Sequence, residues 1–193
     1  MFSMKKLYRL ILRILAVLIF LYIGFLFIKS RVSSDHSISL PEFSLTQSEK
    51  ELHGPYQVTY VIDGDTFMTT IEGKETKIRL IGIDTPESVN EVNPEKNCEE
   101  GRLASAYTKD LLTGKNVWVE YDLNKTDEYD RTLAYVYLDE GGADMIQERL
   151  LADGMANVMQ IGANIKYSVR FRMLKMQAQM QKKGFWEEGF WEN

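Results

Sequence analysis

Between Tyr56 and Ile83 three short β-rich runs follow one another with only tight-turn residues between them. Residues 57–62 (QVTYVI) are rich in β-branched and aromatic side chains, Asp63-Gly64-Asp65 is a turn signal, and residues 66–71 resume the strand pattern. Gly73 punctuates again, and residues 76–83 form a third run. Three strands joined by tight turns make a meander. Pro86 cannot continue a central strand, which predicts that the third strand ends near Asp84.

Beyond the meander, apolar periodicity predicts a helix over 99–112, with Leu103, Ala104, Tyr107, Leu111 and Leu112 on one stripe and Gly114 closing it. Two further strands are predicted over 116–121 and 132–138, separated by the polar stretch 122–131. A second helix is predicted over 143–152 and a third over 168–182. In the third, Phe171, Leu174, Met176 and Met180 fall near helical spacing, and the methionines read as core filling. Tyr129, Tyr135 and Tyr137 read as barrel packing. Five strands with helices inserted between and after them predict an α+β fold, mainly β: a small closed barrel with three helices.

The preceding segment is of another kind. Residues 10–28 are apolar apart from Arg13. As a helix they span about 28 Å, close to the roughly 30 Å hydrocarbon thickness of a bilayer. Arg13 lies near one end, where its stem lets the charge reach the interface. Four cations precede Ile14 and two follow Ile28, which predicts a single-pass transmembrane helix with a cytoplasmic N-terminus and the body outside the cell. The alternative is a signal peptide cleaved near Val32 and Ser34, giving a secreted protein. The predicted organisation is a basic tip and anchor over 1–32, a polar tether over 33–54 and a folded domain over 55–193.

Charge limits what the folded part can do. The first 34 residues hold six of the 23 Lys/Arg and none of the 28 Asp/Glu, so the body carries 17 basic against 28 acidic side chains. Bulk charge does not draw a polyanion to such a domain, and binding one needs a few placed arginines or a metal ion. The single cysteine, Cys98, excludes an internal disulfide and a four-cysteine zinc site. Both histidines, His36 and His53, precede the predicted strands, which argues against a core catalytic histidine.

Polar groups concentrate at three predicted strand ends: Asp63 and Asp65; Arg79 with Asp84, Thr85 and Glu87; and residues 127–131. Carboxylates at neighbouring strand ends can converge on one hard cation. Calcium takes six to eight oxygens from carboxylates, backbone carbonyls and water, so Asp65, Asp84 and the Thr85 carbonyl make a partial shell. Taken alone, Asp63 and Asp65 read as a turn and Asp84 as a strand cap. Arg79 and Asp84 are five apart, so a regular strand points them to opposite faces. Gly82 between them is the place for a bend that turns both to one site.

Three motifs in order give this constellation a family likeness. VIDGDTF over 61–67, IRLIGIDTPES over 78–88 and DEYDRTLAYVY over 127–137 resemble the staphylococcal nuclease (thermonuclease) family. The similarity continues through GMANV over 154–158 to GFWEE over 184–188. The resemblance implies a five-stranded OB-fold barrel with three helices and a calcium-dependent phosphodiesterase acting on DNA and RNA. Such an enzyme cuts between phosphorus and the 5′ oxygen and leaves 3′-phosphate ends. By position, Asp65 and Asp84 resemble the calcium carboxylates and Thr85 the carbonyl ligand. Arg79 and Arg131 resemble the phosphate-binding arginines, and Glu87 the general base or orienter of the attacking water. Calcium is the implied cofactor, nucleic acid the implied substrate, and no obligate protein partner is implied. The alternative is an OB-fold module that binds nucleic acid or a partner without cutting.

The chain also departs from the family pattern. Asp130 stands where the family usually has glycine, and Glu128 where the reference enzyme has lysine. Residues 159–162 read MQIG where tyrosines are expected, which implies weaker base stacking or a changed base preference.

Overall fold

A computed structural model describes Ile19, Tyr22 and residues 50–88, 97–187 and 189–192. The predicted membrane segment and most of the tether lie outside the described residues; Ile19 and Tyr22 are helical. Among the described residues no helix is long and apolar enough to cross a membrane.

The meander forms as β1 (His53–Asp63), β2 (Thr66–Ile71) and β3 (Lys74–Leu80). Both hairpin pairings are antiparallel, with Val61 opposite Phe67 and Phe67 opposite Ile78. A two-residue strand β4 (Ile83–Asp84) follows, then α1 (Glu99–Leu112), β5 (Asn116–Glu120), β6 (Thr132–Tyr137) and α2 (Ile146–Ala152). The chain ends with β7 (Asn157–Val158), α3 (Ser168–Met180) and two short 3-10 turns, Gly184–Trp186 and Phe190–Glu192.

Closure comes from two non-local pairings: β3 runs parallel to β6, with Ile78 opposite Thr132, and β5 pairs antiparallel with β1, while the consecutive strands β5 and β6 also pair antiparallel. The resulting order β1-β2-β3-β6-β5 is a closed barrel, which removes sheet edges and agrees with the OB-fold. Its interior holds Val58, Phe67, Ile78, Leu80, Val117, Val119, Leu133 and Val136, all at most 2% exposed. α1 covers the β1 side, while α2 and α3 pack on one another, on β6 and on β7.

The helices form where the periodicity places them, and α1 matches its predicted span. Glu99 and Glu100 in its first turn oppose the helix dipole favourably. α2 starts later than predicted because the amides of Ala143 and Asp144 bind the Asp139 carboxylate in a turn. The predicted third strand also divides. β3 ends at Leu80, and β4 pairs instead with β7, Ile83 opposite Val158 and Asp84 opposite Asn157.

Two expectations about packing are corrected. Met176 and Met180 are 55% and 79% exposed, not core filling: α3 buries Phe171 in the core, buries Ala178 on the same side and turns the methionines outward. Tyr129 is 71% exposed, whereas Tyr135 and Tyr137 are buried as predicted.

Candidate active site

Gly82 creates the site. Its φ is +82°, a conformation that side chains with a Cβ rarely adopt, and an added Cβ would lie 2.7 Å from the Phe171 ring. The chain therefore turns sharply between β3 and β4 and brings Arg79 and Asp84 together. Arg79 Nη2 lies 3.1 Å from Asp84 Oδ1 and 3.0 Å from Asp65 Oδ2. Its Nη1 donates to the carbonyls of Leu80 (2.7 Å) and Ile83 (2.8 Å), tying the two sides of the bend. Arg79 is 3% exposed, and burying its charge is tolerable only because these partners are in place.

Asp65 reaches the cleft from the β1–β2 turn. The Leu80 amide donates to its backbone carbonyl (2.9 Å), Thr66 Oγ1 to its Oδ1 (2.8 Å) and the Thr85 amide to its Oδ2 (3.2 Å). Asp63, read as a turn residue in the strand-end polar cluster, has a positioning role. It receives Gly64 N at 2.8 Å and Ser88 Oγ at 2.8 Å, fixing the segment that carries Glu87. Gly101 lets that segment approach α1: a Cβ there would lie 2.1 Å from the Glu87 carbonyl oxygen, which accepts the Cys98 amide at 3.1 Å.

Arg131 arrives through the parallel β3–β6 pairing, one residue before Thr132, the partner of Ile78. Asp127 positions it, a role that sequence reasoning did not assign. The Asp127 carboxylate accepts the amides of Tyr129 (3.0 Å) and Arg131 (2.9 Å) and the Arg131 Nε (2.7 Å). Burial by itself raises the Asp127 pKa, but these bonds outweigh it and hold the carboxyl below its ordinary value. The guanidinium also lies 5.3 Å from the Tyr129 ring centre. The turn puts Asp130 at φ +57°, the left-handed conformation glycine adopts readily.

These side chains share a cleft of about 290 Å³ lined by Asp63, Asp65, Arg79, Asp84, Glu87 and Arg131, with Lys77 and Met159 beside them. A larger cavity of about 900 Å³, near Lys50, Trp118 and Tyr167, shares none of them. Carboxylates are crowded in the smaller cleft. Burial, then the Asp65 charge, raises Asp84 against the opposing pull of Arg79. Burial and the Asp63, Asp65 and Asp84 carboxylates push Glu87 up to about 7. Unrelieved negative charge on hard oxygen donors fits a calcium-like cation. Among the described residues no three His, Cys, Asp or Glu side chains form a group able to hold a metal unaided. The donor set therefore fits only with backbone carbonyl, water or substrate oxygens completing the shell.

The sequence-predicted residues Asp65, Arg79, Asp84, Glu87 and Arg131 thus line one cleft, and Thr85 adjoins it through its amide. Lys77 was not anticipated, because it carries no local signal, and Met159 enters the cleft from the base-side stretch 159–162. The base-side departures are structural as well. Gln160 is exposed and donates to the Gly162 carbonyl, while Gly162 has φ +56° against Asn124.

A closed five-stranded barrel carrying paired arginines and carboxylates in one open cleft defines a barrel-borne phosphodiester hydrolase. The comparisons specify which: the chain belongs to the staphylococcal nuclease family, whose model, described as staphylococcal nuclease homologue, matches residues 77–188. It is 42% identical over 131 residues to a thermonuclease of Staphylococcus hyicus, covering 68% of this chain and 75% of that one. A thermonuclease of Staphylococcus intermedius is 39% identical over 132 residues, covering 68% and 76%. Endonuclease YncB of Bacillus subtilis is 34% identical over 131 residues, covering 66% and 59%. The protein is a nuclease, and its substrate is nucleic acid.

Proposed function

We propose that the chain is a calcium-dependent phosphodiesterase that hydrolyses DNA and RNA at the bond between phosphorus and the 5′ oxygen, leaving 3′-phosphate ends. The observation that carries this reading is the meeting of Arg79 with Asp65 and Asp84 in a cleft that also holds Glu87 and Arg131. Asp65, Asp84 and the Thr85 carbonyl are the residues that would hold the cation. Bound there, calcium supplies a Lewis acid for the charge that gathers on the phosphate oxygens.

The chain's own residues do the rest. Arg131 is held by Nε on Asp127, so both of its Nη groups can fork onto two phosphate oxygens. Arg79 spends its Nη groups on carbonyls and carboxylates, and among the described residues Nε is left as its donor to a phosphate oxygen. Glu87 orients the attacking water and takes its proton.

The test is digestion of single-stranded DNA by the full chain in detergent, with calcium or a calcium-specific chelator, reading the product ends. Calcium-dependent cutting with 3′-phosphate ends is expected. A folded chain that binds DNA without cutting it would leave only the OB-fold binding module.

The same reading places the enzyme outside the cell, held by residues 10–28 as a single-pass anchor, with secretion after signal cleavage as the alternative. The cationic flanks of that segment support it. Retention in membranes after alkaline extraction is expected, and release into the medium would favour cleavage. No protein partner is required.

A further inference from the structure

From Gly154 through Trp186 the chain contains no Asp or Glu, yet it carries Lys166, Arg170, Arg172, Lys175, Lys182 and Lys183. In an acidic body this segment is the basic face, and α3 is its centre. α3 also has two apolar sides. Phe171 and Ala178 are buried on one side, while Val169, Met173, Met176 and Met180 recur at spacings of four, three and four on the opposite side. Those four are 66%, 57%, 55% and 79% exposed, and Ile165 before the helix is 53% exposed.

Three of these six cations are paired: Lys166 with Glu120, Arg170 with Glu148 and Lys183 with Asp153. Arg172 bonds only to Ser168, Lys175 lies over the Trp186 ring, and among the described residues neither they nor Lys182 meet a carboxylate. An apolar stripe with cations near it that no carboxylate neutralises is the pattern of a helix lying in a membrane interface. A nucleic-acid strand matches the cations but gains nothing from a row of methionine and valine, since bases stack on aromatic rings.

We propose that the exposed face of α3 docks the nuclease body onto an anionic lipid surface, with Val169, Met173, Met176 and Met180 entering the headgroup boundary and Arg172, Lys175 and Lys182 meeting lipid phosphate. The proposal deepens the membrane-anchored reading and is separable from it. The tether alone leaves the body free above the bilayer, whereas docking fixes which face meets lipid.

The test reconstitutes the full chain with Cys98→Ser and Met176→Cys, carrying an environment-sensitive fluorophore, into vesicles of phosphatidylcholine with or without phosphatidylglycerol. A second label site, Met173→Cys, covers the case in which Met176→Cys disturbs the helix. Thr70→Cys, on exposed β2, is the control. Expected are a blue shift and loss of iodide quenching at 176 and 173 only with phosphatidylglycerol, and no change at 70. Arg172→Gln and Lys175→Gln should each lower the docked-to-undocked ratio about fivefold.

Vesicle-bound chain whose labels stay equally open to iodide in both lipids would overturn docking and leave the anchor standing. Binding to phosphatidylglycerol vesicles but not to pure phosphatidylcholine would overturn the anchor and leave docking standing. No association with either vesicle overturns both. Protection of the labels without lipid, by added single-stranded DNA or by raising protein concentration, would assign the face to substrate or to a second copy instead.

Discussion

Arg79 and Arg131 illustrate how one residue type takes two jobs. Arg79 spends both terminal nitrogens holding the bend and the carboxylates, while Arg131 is anchored by Nε alone and keeps its fork open. Arg131→Ala should lower turnover by about 100-fold or more, the scale for losing a charge-stabilising donor. Arg131→Lys should be nearly as damaging, because ammonium lacks the planar fork; full activity of the lysine variant would refute that geometry. Asp130, at φ +57°, holds a conformation that costs L-residues about 1–2 kcal/mol, less for aspartate. Asp130→Gly should therefore stabilise the fold by about 0.5 kcal/mol, part of the gain being offset by the freer unfolded chain. Urea denaturation midpoints would show it, and a lower midpoint would mean that the Asp130 side chain supports the turn.

At the scale of elements, the junction between β3 and β4 matters most. Gly82→Ala combines a disfavoured φ with a Cβ 2.7 Å from Phe171, so it should destabilise by about 2 kcal/mol or more. It should also lower activity beyond what unfolding explains, since Asp84 rides on that bend. Thermal melts alongside cleavage rates measured well below the transition would separate the two losses. A second element-scale device joins β5, β6 and the residue before α3. Buried Glu120 accepts bonds from Tyr137 (2.6 Å) and Tyr167 (2.8 Å) and pairs with Lys166. Burial and the Glu120 charge raise both phenols, Tyr167 to about 12 and Tyr137 further in the same direction. A raised folded value means the proton is held more tightly in the folded state. The stabilisation is thus fully present below the unfolded value of about 10 and is lost as pH rises from there through the folded values. Melting temperature should fall across that alkaline window, and Tyr167→Phe should make the fall shallower. An unchanged alkaline profile in Tyr167→Phe would remove that phenol from the account.

Over the whole molecule, an acidic body binds a polyanion through a small local positive well. With only Arg79 and Arg131 meeting phosphates, affinity for single-stranded DNA should fall with salt at a logarithmic slope of about −1.4, or −0.7 per neutralised phosphate. Titrations at fixed calcium and several salt concentrations would measure it. A slope several times steeper would mean that the basic segment around α3 also tracks the strand.

Much of this molecule is written locally. The meander, α1, the turn residues and the identities of the charged groups follow from backbone preference and side-chain period, which act over a few residues. Gly82 was legible as the necessary bend for the same reason. The meeting of the groups was not local. The parallel pairing of β3 with β6 brings Arg131 to the Arg79 side of the cleft, and Asp63 gains its positioning role only when the chain folds back to place Ser88 against it. The methionines of α3 show the limit clearly. A helix with apolar residues on two sides has no local rule for which side is buried, and burial is settled by the surface it packs against. The core takes Phe171, Ala178 is buried on the same side, and the opposite stripe stays exposed among the described residues.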